Sequence, residues 1–292
     1  MTATAPPFTY AGGKTTLASC IVALLPAHKS YVECFAGGLA VLLAKRPVKF
    51  ETINDLDGAV VTFWRVLRER PEEFMRLCAL TPHSRAELAI ANDLDPGIDE
   101  LELARRVWVR LAQGRAGTLR PTGWRHYQDP NGTTVAMPGY LAGYVARMPA
   151  AATRLANVSL ECRPALDVIA RYGGHPDNLI YADPPYLRGT RSIGRYRYEM
   201  AEHAQHRELA EALRSCRAAV VLSGYASPLY DAELYSDWCR VELPTWTGQG
   251  GAKRGRTEVL WSNRALAAQA ELFANDDETP DPGEDSHAVG TG

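Results

Sequence analysis

The chain has 292 residues, 46% hydrophobic and 23% charged, which fits a soluble globular protein built as one large domain or a core with an inserted module. No apolar run approaches the roughly 18 residues a helical membrane span needs, and 18–25 stops far short of it. The net charge of -2 conceals an asymmetry: residues 271–292 carry seven acids and no Lys or Arg, leaving 32 basic against 27 acidic residues ahead of them.

A Pro-containing start at 5–8 leads to Tyr10-Ala11-Gly12-Gly13-Lys14-Thr15-Thr16. Leu17, Ile21, Leu24 and Leu25 then mark one face of a helix that Pro26 ends. The segment 31–35 reads as a strand, Gly37-Gly38 as a turn, 39–45 as a helix and 50–53 as a second strand closing on Asn54-Asp55. Strand, glycine turn, helix and strand in so short a span form a βαβ unit, which predicts a parallel sheet. From 60 to 149 the pattern is helical, with 63–67, 73–80 and 101–111 separated by Pro- and Gly-rich loops. After Asn157 the alternation resumes: strand 158–162, helix 166–172, buried strand 178–182, a helix with Leu209 and Leu213 on one face, and strand 218–223. The runs 239–243 and 257–261 flank a loop and predict an antiparallel pair at the sheet edge. The order describes an α/β core at 1–59 and 155–270, interrupted by a helical module at 60–154. Residues 271–292, acidic and rich in Pro and Gly, read as a disordered tail.

The six cysteines are scattered with no CxxC pair, which argues against a zinc site or a disulfide framework and fits a reducing cytoplasm. No basic stretch followed by an apolar one opens the chain, so no signal peptide is read. Six arginines and no acid lie between Leu103 and Gln128, and four more unopposed arginines between Pro185 and Tyr198. Two such patches on a nearly neutral protein suit a polyanion, although solvated Arg-rich faces give the same count.

The sharpest local feature is Asp183-Pro184-Pro185-Tyr186, directly after the strand 178–182. Carboxyl ends of strands in an open α/β sheet are where ligands sit. Two consecutive prolines fix two φ angles and remove two N–H donors, so the loop is stiff and offers mainly acceptors. A carboxylate at Asp183 and a backbone carbonyl at Pro184 can accept both hydrogens of an aromatic amine, turning its lone pair toward an electrophile. Tyr186 supplies a face on which a ring can stack. A rigid structural turn is the alternative for the tetrapeptide taken alone.

A second feature is Glu33-Cys34-Phe35-Ala36-Gly37-Gly38 at the end of the first strand. Glycines there let backbone approach a ligand closely. Asp55 ends the next strand, twenty residues after Phe35, the spacing at which an acid caps the ribose hydroxyls of an adenosine-containing cofactor. Tight strand-to-helix packing is the alternative for the glycines. Gly12-Gly13-Lys14-Thr15 is not a phosphate-binding loop, because the required earlier glycine position holds Phe8 and no strand precedes it. Lys14 remains a candidate partner for a cofactor carboxylate.

Taken together, six segments resemble the class of DNA adenine methyltransferases typified by the bacterial Dam enzymes and many phage relatives. They are 8–14, 35–38, 53–55, Tyr181-Ala182-Asp183-Pro184-Pro185-Tyr186, 222–225 and 257–263, in that family's order, with a recognition insertion between the cofactor half and the DPPY half. The resemblance implies a Rossmann-like, mostly parallel methyltransferase fold with an antiparallel edge strand and a helical target-recognition domain. It also implies methyl transfer from S-adenosylmethionine to the N6 amine of adenine in double-stranded DNA, without a metal. Tyr10, Lys14, Phe35, Ala36, Gly37, Gly38, Asp55 and Asp183 would contact the cofactor. Asp183, Pro184, Pro185 and Tyr186 would form the catalytic corner. The target atom is out of reach in a stacked duplex, so the base must be flipped. That demand accounts for the arginines. Arg115, Arg120 and Arg125 in the insertion, Arg188, Arg191, Arg195 and Arg197 after the corner, and Lys253 and Arg254 in a Gly-rich loop, would hold mostly phosphates. His206 reads as structural. Amino methylation of cytosine, an RNA base or a protein amide, and a DNA-binding relative without catalysis, are the alternatives. A monomer in the cytoplasm is expected, with no membrane contact and room for a cognate restriction endonuclease as partner.

Overall fold

Strands that are apolar on both faces need helices on both sides of the sheet, and this chain provides them. The computed structural model describes residues 4–126, 135–187, 196–245 and 256–266. Seven strands, β1 (Ser30–Glu33), β2 (Phe50–Asn54), β3 (Val158–Glu161), β4 (Asn178–Ala182), β5 (Ala219–Tyr225), β6 (Cys239–Thr245) and β7 (Arg256–Ser262), form one sheet in the order β3-β2-β1-β4-β5-β7-β6. The first five pair in parallel, and β7 runs antiparallel to both β5 and β6. The fold is therefore the Rossmann-like, mostly parallel α/β fold expected. The reversed strand lies one position in from the edge, so β6 is the edge strand. Sequence order runs outward in one direction through β1, β2 and β3 and in the other through β4 and β5. The switch point, where a crevice opens beyond the strand ends, lies between β1 and β4.

Side-chain alternation divides the core. Leu179 and Tyr181 of β4 join one apolar cluster with helices α1 (Ala18–Leu24), α2 (Ala40–Ala44) and α3 (Gly58–Glu69). Ile180 and Ala182 join the other, with α9 (Ala165–Tyr172) and α10 (His203–Arg214). Asp57 caps α3 by accepting from the Ala59 N–H at 3.1 Å, and Glu202 and Gln205 cap α10 reciprocally.

Between β2 and β3 the chain is helical. α3 is followed by α4 (Pro71–Leu80), α5 (Arg85–Ile90), α6 (Glu100–Gln113), α7 (Met137–Val145) and α8 (Met148–Leu155). Of these, α5, α7 and α8 carry no clear sequence signal: they are short, and α7 and α8 begin on Met-Pro pairs that read as loop. The apolar cluster is continuous from the sheet into these helices through Phe8, Phe63, Trp64 and Trp108, all buried. The amino-terminal segment is fastened to the helices by polar contacts as well. The Trp108 indole donates to the Pro7 carbonyl (3.1 Å), Arg147 to the Pro6 carbonyl (3.1 Å), and Thr9 Oγ1 lies 2.6 Å from the Tyr144 hydroxyl. The acidic tail lies outside the described residues. No helix among those described is long and apolar enough to cross a membrane.

Trp108 both fills the core and anchors the segment that carries Lys14. Trp108→Ala is expected to lower the unfolding free energy by about 3–5 kcal/mol, measured by denaturant unfolding; a loss under about 1 kcal/mol would contradict this packing.

Candidate active site

The switch point brings two loops side by side. Glu33 of β1 pairs with Tyr181 of β4, and the Cys34 N–H donates to the Tyr181 carbonyl at 3.1 Å, so the segments leaving both strands are adjacent. Together with the end of β2 and residues 10–14 they line a cavity of about 300 Å³. Its walls include Tyr10, Lys14, Phe35, Ala36, Gly37, Gly38, Asp55, Asp183 and Pro185, so the expected cofactor residues converge on one space.

Backbone conformation explains the glycines. Gly37 has φ +44°, and a Cβ there would lie 2.8 Å from the Tyr10 ring; at Gly38 it would lie 3.1 Å from Tyr10 Cβ. Leu39, with φ 53°, holds a left-handed conformation unusual for a branched side chain. The turn is pinned from behind by the buried Trp64 indole, which donates to the Gly37 carbonyl at 3.0 Å. Asp55 accepts the N–H of Gly37 and of Asp57, each at 2.9 Å. Burial pushes the Asp55 carboxyl up to about 6, against the pull of those backbone N–H groups. Burial likewise raises Glu33, hydrogen-bonded by the Tyr31 hydroxyl, to about 8.

The corner formed by Asp183-Pro184-Pro185-Tyr186 is occupied by Lys14. Its ammonium lies 2.7 Å from both oxygens of Asp183, 2.6 Å from the Tyr186 hydroxyl and 2.8 Å from the Gly12 carbonyl, four acceptors sharing its three protons. The ammonium is thus turned to Asp183, and Lys14 also lines the cavity. Burial works against the Lys14 charge, yet Asp183 and Glu258 beside it hold the proton more tightly than usual. Burial pushes Asp183 up to about 6; Lys14 pulls it down and Glu258 pushes it further up. Tyr186 is only 6% exposed; its ring stands edge-on to Tyr225 with centroids 4.6 Å apart, and its one hydroxyl proton has Glu258 and Asp183 within reach. A base would stack on Tyr186 only after displacing what now covers the ring. His206 is buried, its ring nitrogens 2.7 Å from the Tyr230 hydroxyl and 2.8 Å from the Met200 carbonyl, a structural placement.

Of the six arginines between Leu103 and Gln128, two are neutralised by acids that precede them in the chain. Arg105 pairs with Glu87 and Glu102, and Arg106 with Asp93 and Glu102. Arg110 is fully buried, with one guanidinium nitrogen donating to Asn92. The expected phosphate contacts Arg115 and Arg120 are exposed, and Arg125 lies 5.1 Å over the Tyr140 ring. They sit around a hairpin-like bridge between Gly114 and Trp124 that docks on the lysine loop, where the Ala11 N–H donates to the Gly117 carbonyl at 2.7 Å. Arg197 is paired instead with Asp57 at 3.0 Å on the cavity wall, next to Tyr196, whose hydroxyl donates to the Ala11 carbonyl. Arg188, Arg191, Arg195, Lys253 and Arg254 lie outside the described residues. Sequence reasoning held Glu258 and Ser223 only as members of the segments 257–263 and 222–225, without a role, and missed Trp64 and Tyr196. A lone acid in the apolar run of β7 was the available signal for Glu258.

The sequence model of the D12 class N6 adenine-specific DNA methyltransferases matches residues 10–243. The chain is 27% identical over 276 residues to the Type II methyltransferase M1.LlaDCHI of Lactococcus lactis subsp. cremoris, spanning 88% of this chain and 95% of that one. Among solved structures it is similar to a SAM-dependent methyltransferase from Agrobacterium tumefaciens (13% identity, 85% and 60% of the chains, TM-score 0.37). The rRNA methyltransferase aviRa from Streptomyces viridochromogenes gives 15% identity over 87% and 85% of the chains, TM-score 0.36.

Removing the ammonium should expose its effect on Asp183. In Lys14→Met the Asp183 carboxyl should titrate above about 6. The folded state then binds a proton that the unfolded state releases, so above about 6 stability should fall more steeply with rising pH than in the wild type. Parallel stability–pH curves for the two proteins would contradict the pairing.

Proposed function

The chain belongs to the D12 class N6 adenine-specific DNA methyltransferases, and we propose that it moves the methyl group of S-adenosylmethionine to the N6 amine of an adenine turned out of double-stranded DNA. The observation that carries this reading is the placement of the Asp183 carboxylate, 19% exposed, in the wall of the switch-point cavity. A carboxylate offers about four acceptor positions. Lys14 takes one on each oxygen and Tyr186 approaches a third, which leaves one for an amine hydrogen. The neighbouring Pro184 carbonyl is the second acceptor in this reading.

The cavity suits the methyl donor chemically. Glu33, Asp55, Asp57 and Asp183 face it beside the aromatic rings of Tyr10 and Phe35, a lining matched to a flat base, ribose hydroxyls and cationic groups. Asp55 would hold the ribose, with Tyr10 beside it and the 35–38 loop beside the methionine part. Bound there, S-adenosylmethionine supplies a methyl group already activated by its positive sulfur. The protein's part is to hold the amine by both hydrogens, aim its lone pair and take the released proton at Asp183.

The module 60–154 is the target-recognition domain in this reading. Arg115 and Arg120, both exposed, and Arg125 are its candidate phosphate contacts. Flipping is required because the N6 atom lies inside the stack. The kinship with a Type II methyltransferase supports a restriction–modification setting with a cognate endonuclease. A monomer in the cytoplasm remains our reading of its state and location.

Labelled methyl groups should pass from S-adenosylmethionine to duplex DNA, and nucleoside digestion should yield N6-methyladenine. Asp183→Ala should reduce kcat by roughly 10²–10⁴-fold without unfolding the protein. Because the ionised carboxylate is the acceptor, wild-type kcat should rise with pH through about 6. N4-methylcytosine as product, or full activity in Asp183→Ala, would overturn the assignment.

A further inference from the structure

Glu258 has no place in the reading above, yet it is built into the same corner. It lies within β7, opposite Tyr225 of β5, and is 4% exposed. Its Oε1 accepts from the Tyr186 hydroxyl and from Ser223 Oγ (2.7 Å) and stands 3.6 Å from the Lys14 ammonium. Two carboxylates, Glu258 buried and Asp183 partly exposed, therefore share one ammonium and are bridged by one phenol. A buried ion cluster is seldom worth more to stability than well-packed apolar residues, so a second acid here invites a functional explanation.

We infer that Glu258 is a positioning residue for methyl transfer, acting on Asp183 through the Tyr186 hydroxyl and the Lys14 ammonium. The inference rests on Asp183 being the group that accepts the target amine. Tyr186 has one proton to give and two carboxylates in reach. Drawn to Glu258, that proton leaves an Asp183 lone pair open for the amine. The second acid also divides the attraction of Lys14, so Asp183 is not locked into a private ion pair. The cluster of Lys14, Asp183 and Glu258 carries one net negative charge. As the N–C bond forms and the methyl carbon's bond to sulfur breaks, the sulfur keeps that bond's electron pair. One N–H bond of the amine also breaks, its electron pair stays on nitrogen, and the proton passes to an Asp183 oxygen. The cluster becomes neutral at that step. The other titratable groups facing Asp183 are Glu33 and Tyr181 from β1 and β4, Tyr230, and Tyr10 from the amino-terminal segment; in the pH range of the reaction the tyrosines stay neutral, their hydroxyls raised by burial.

Glu258→Gln keeps the shape and removes the charge. With the neighbouring negative charge gone, Asp183 should ionise more easily, so the acid limb of the kcat–pH profile should move to lower pH. At the pH optimum kcat should fall roughly tenfold with little change in KM for DNA or S-adenosylmethionine, and Glu258→Asp should recover part of the loss. An acid limb that stays in place in a folded Glu258→Gln protein would overturn the inference. Should that variant fail to fold, Tyr186→Phe cuts the link from the other side. The Glu258 charge then bears on Asp183 with no phenol hydrogen bond to temper it, and the acid limb should move to higher pH; an unmoved limb there overturns the inference too. Asp183→Asn, assayed in parallel, separates the two levels: if it retains full activity, the acceptor reading itself fails, whatever Glu258 does.

Discussion

Everything at the switch point is organised by one buried contact, the Lys14 ammonium resting on both oxygens of Asp183 at 2.7 Å. Burying either charge alone would be prohibitive, and together they are tolerable only because each finds further partners. Lys14 has the Gly12 carbonyl and the Tyr186 hydroxyl, and Asp183 keeps partial contact with solvent. The pairing spans 169 residues of sequence, so it forms only when the amino-terminal segment is folded back over the ends of β1 and β4.

That requirement explains how the amino terminus is secured. Residues 6–11 are tied by hydrogen bonds to Arg147, Trp108, Tyr144 and Gly117, all in the segment between β2 and β3. The same segment presents Arg115 and Arg120 to solvent. DNA held by those arginines would thus be connected to the loop bearing Lys14 through a few short contacts. Tyr10 completes the arrangement: its ring lies over Gly37 and Gly38 where no side chain would fit, and so aligns the lysine loop with the turn after β1.

Local chemistry was legible in the sequence and long-range pairing was not. The βαβ start, the stiff Asp183-Pro184-Pro185-Tyr186 loop and the Gly37-Gly38 turn are written in adjacent residues, and each stands where it was read. The clustering of Tyr10, Phe35, Asp55 and Asp183 around one cavity follows from their positions at strand ends. By contrast, the partners of charged residues come from elsewhere in the chain. Arg105 and Arg106 look unopposed in a window of sequence and are neutralised by Glu87 and Asp93 from before α6. Arg197 looks like a surface cation and pairs with Asp57. Glu258 is a single acid in an apolar strand, and nothing local shows that β7 inserts between β5 and β6 and so brings it to Tyr186. Helices α7 and α8 escaped because proline at a first helical turn looks the same in sequence as proline in a loop.

A crystal structure with duplex substrate and a non-reactive analogue of the methyl donor would show whether the corner at Asp183 receives an extruded amine beside the Lys14 pair. The expectation is a flipped adenine with its N6 atom at hydrogen-bond distance, about 3 Å, from an Asp183 oxygen while Lys14 still holds the other. An adenine stacked within the duplex, or one seated with its amine pointing away from Asp183, would contradict it.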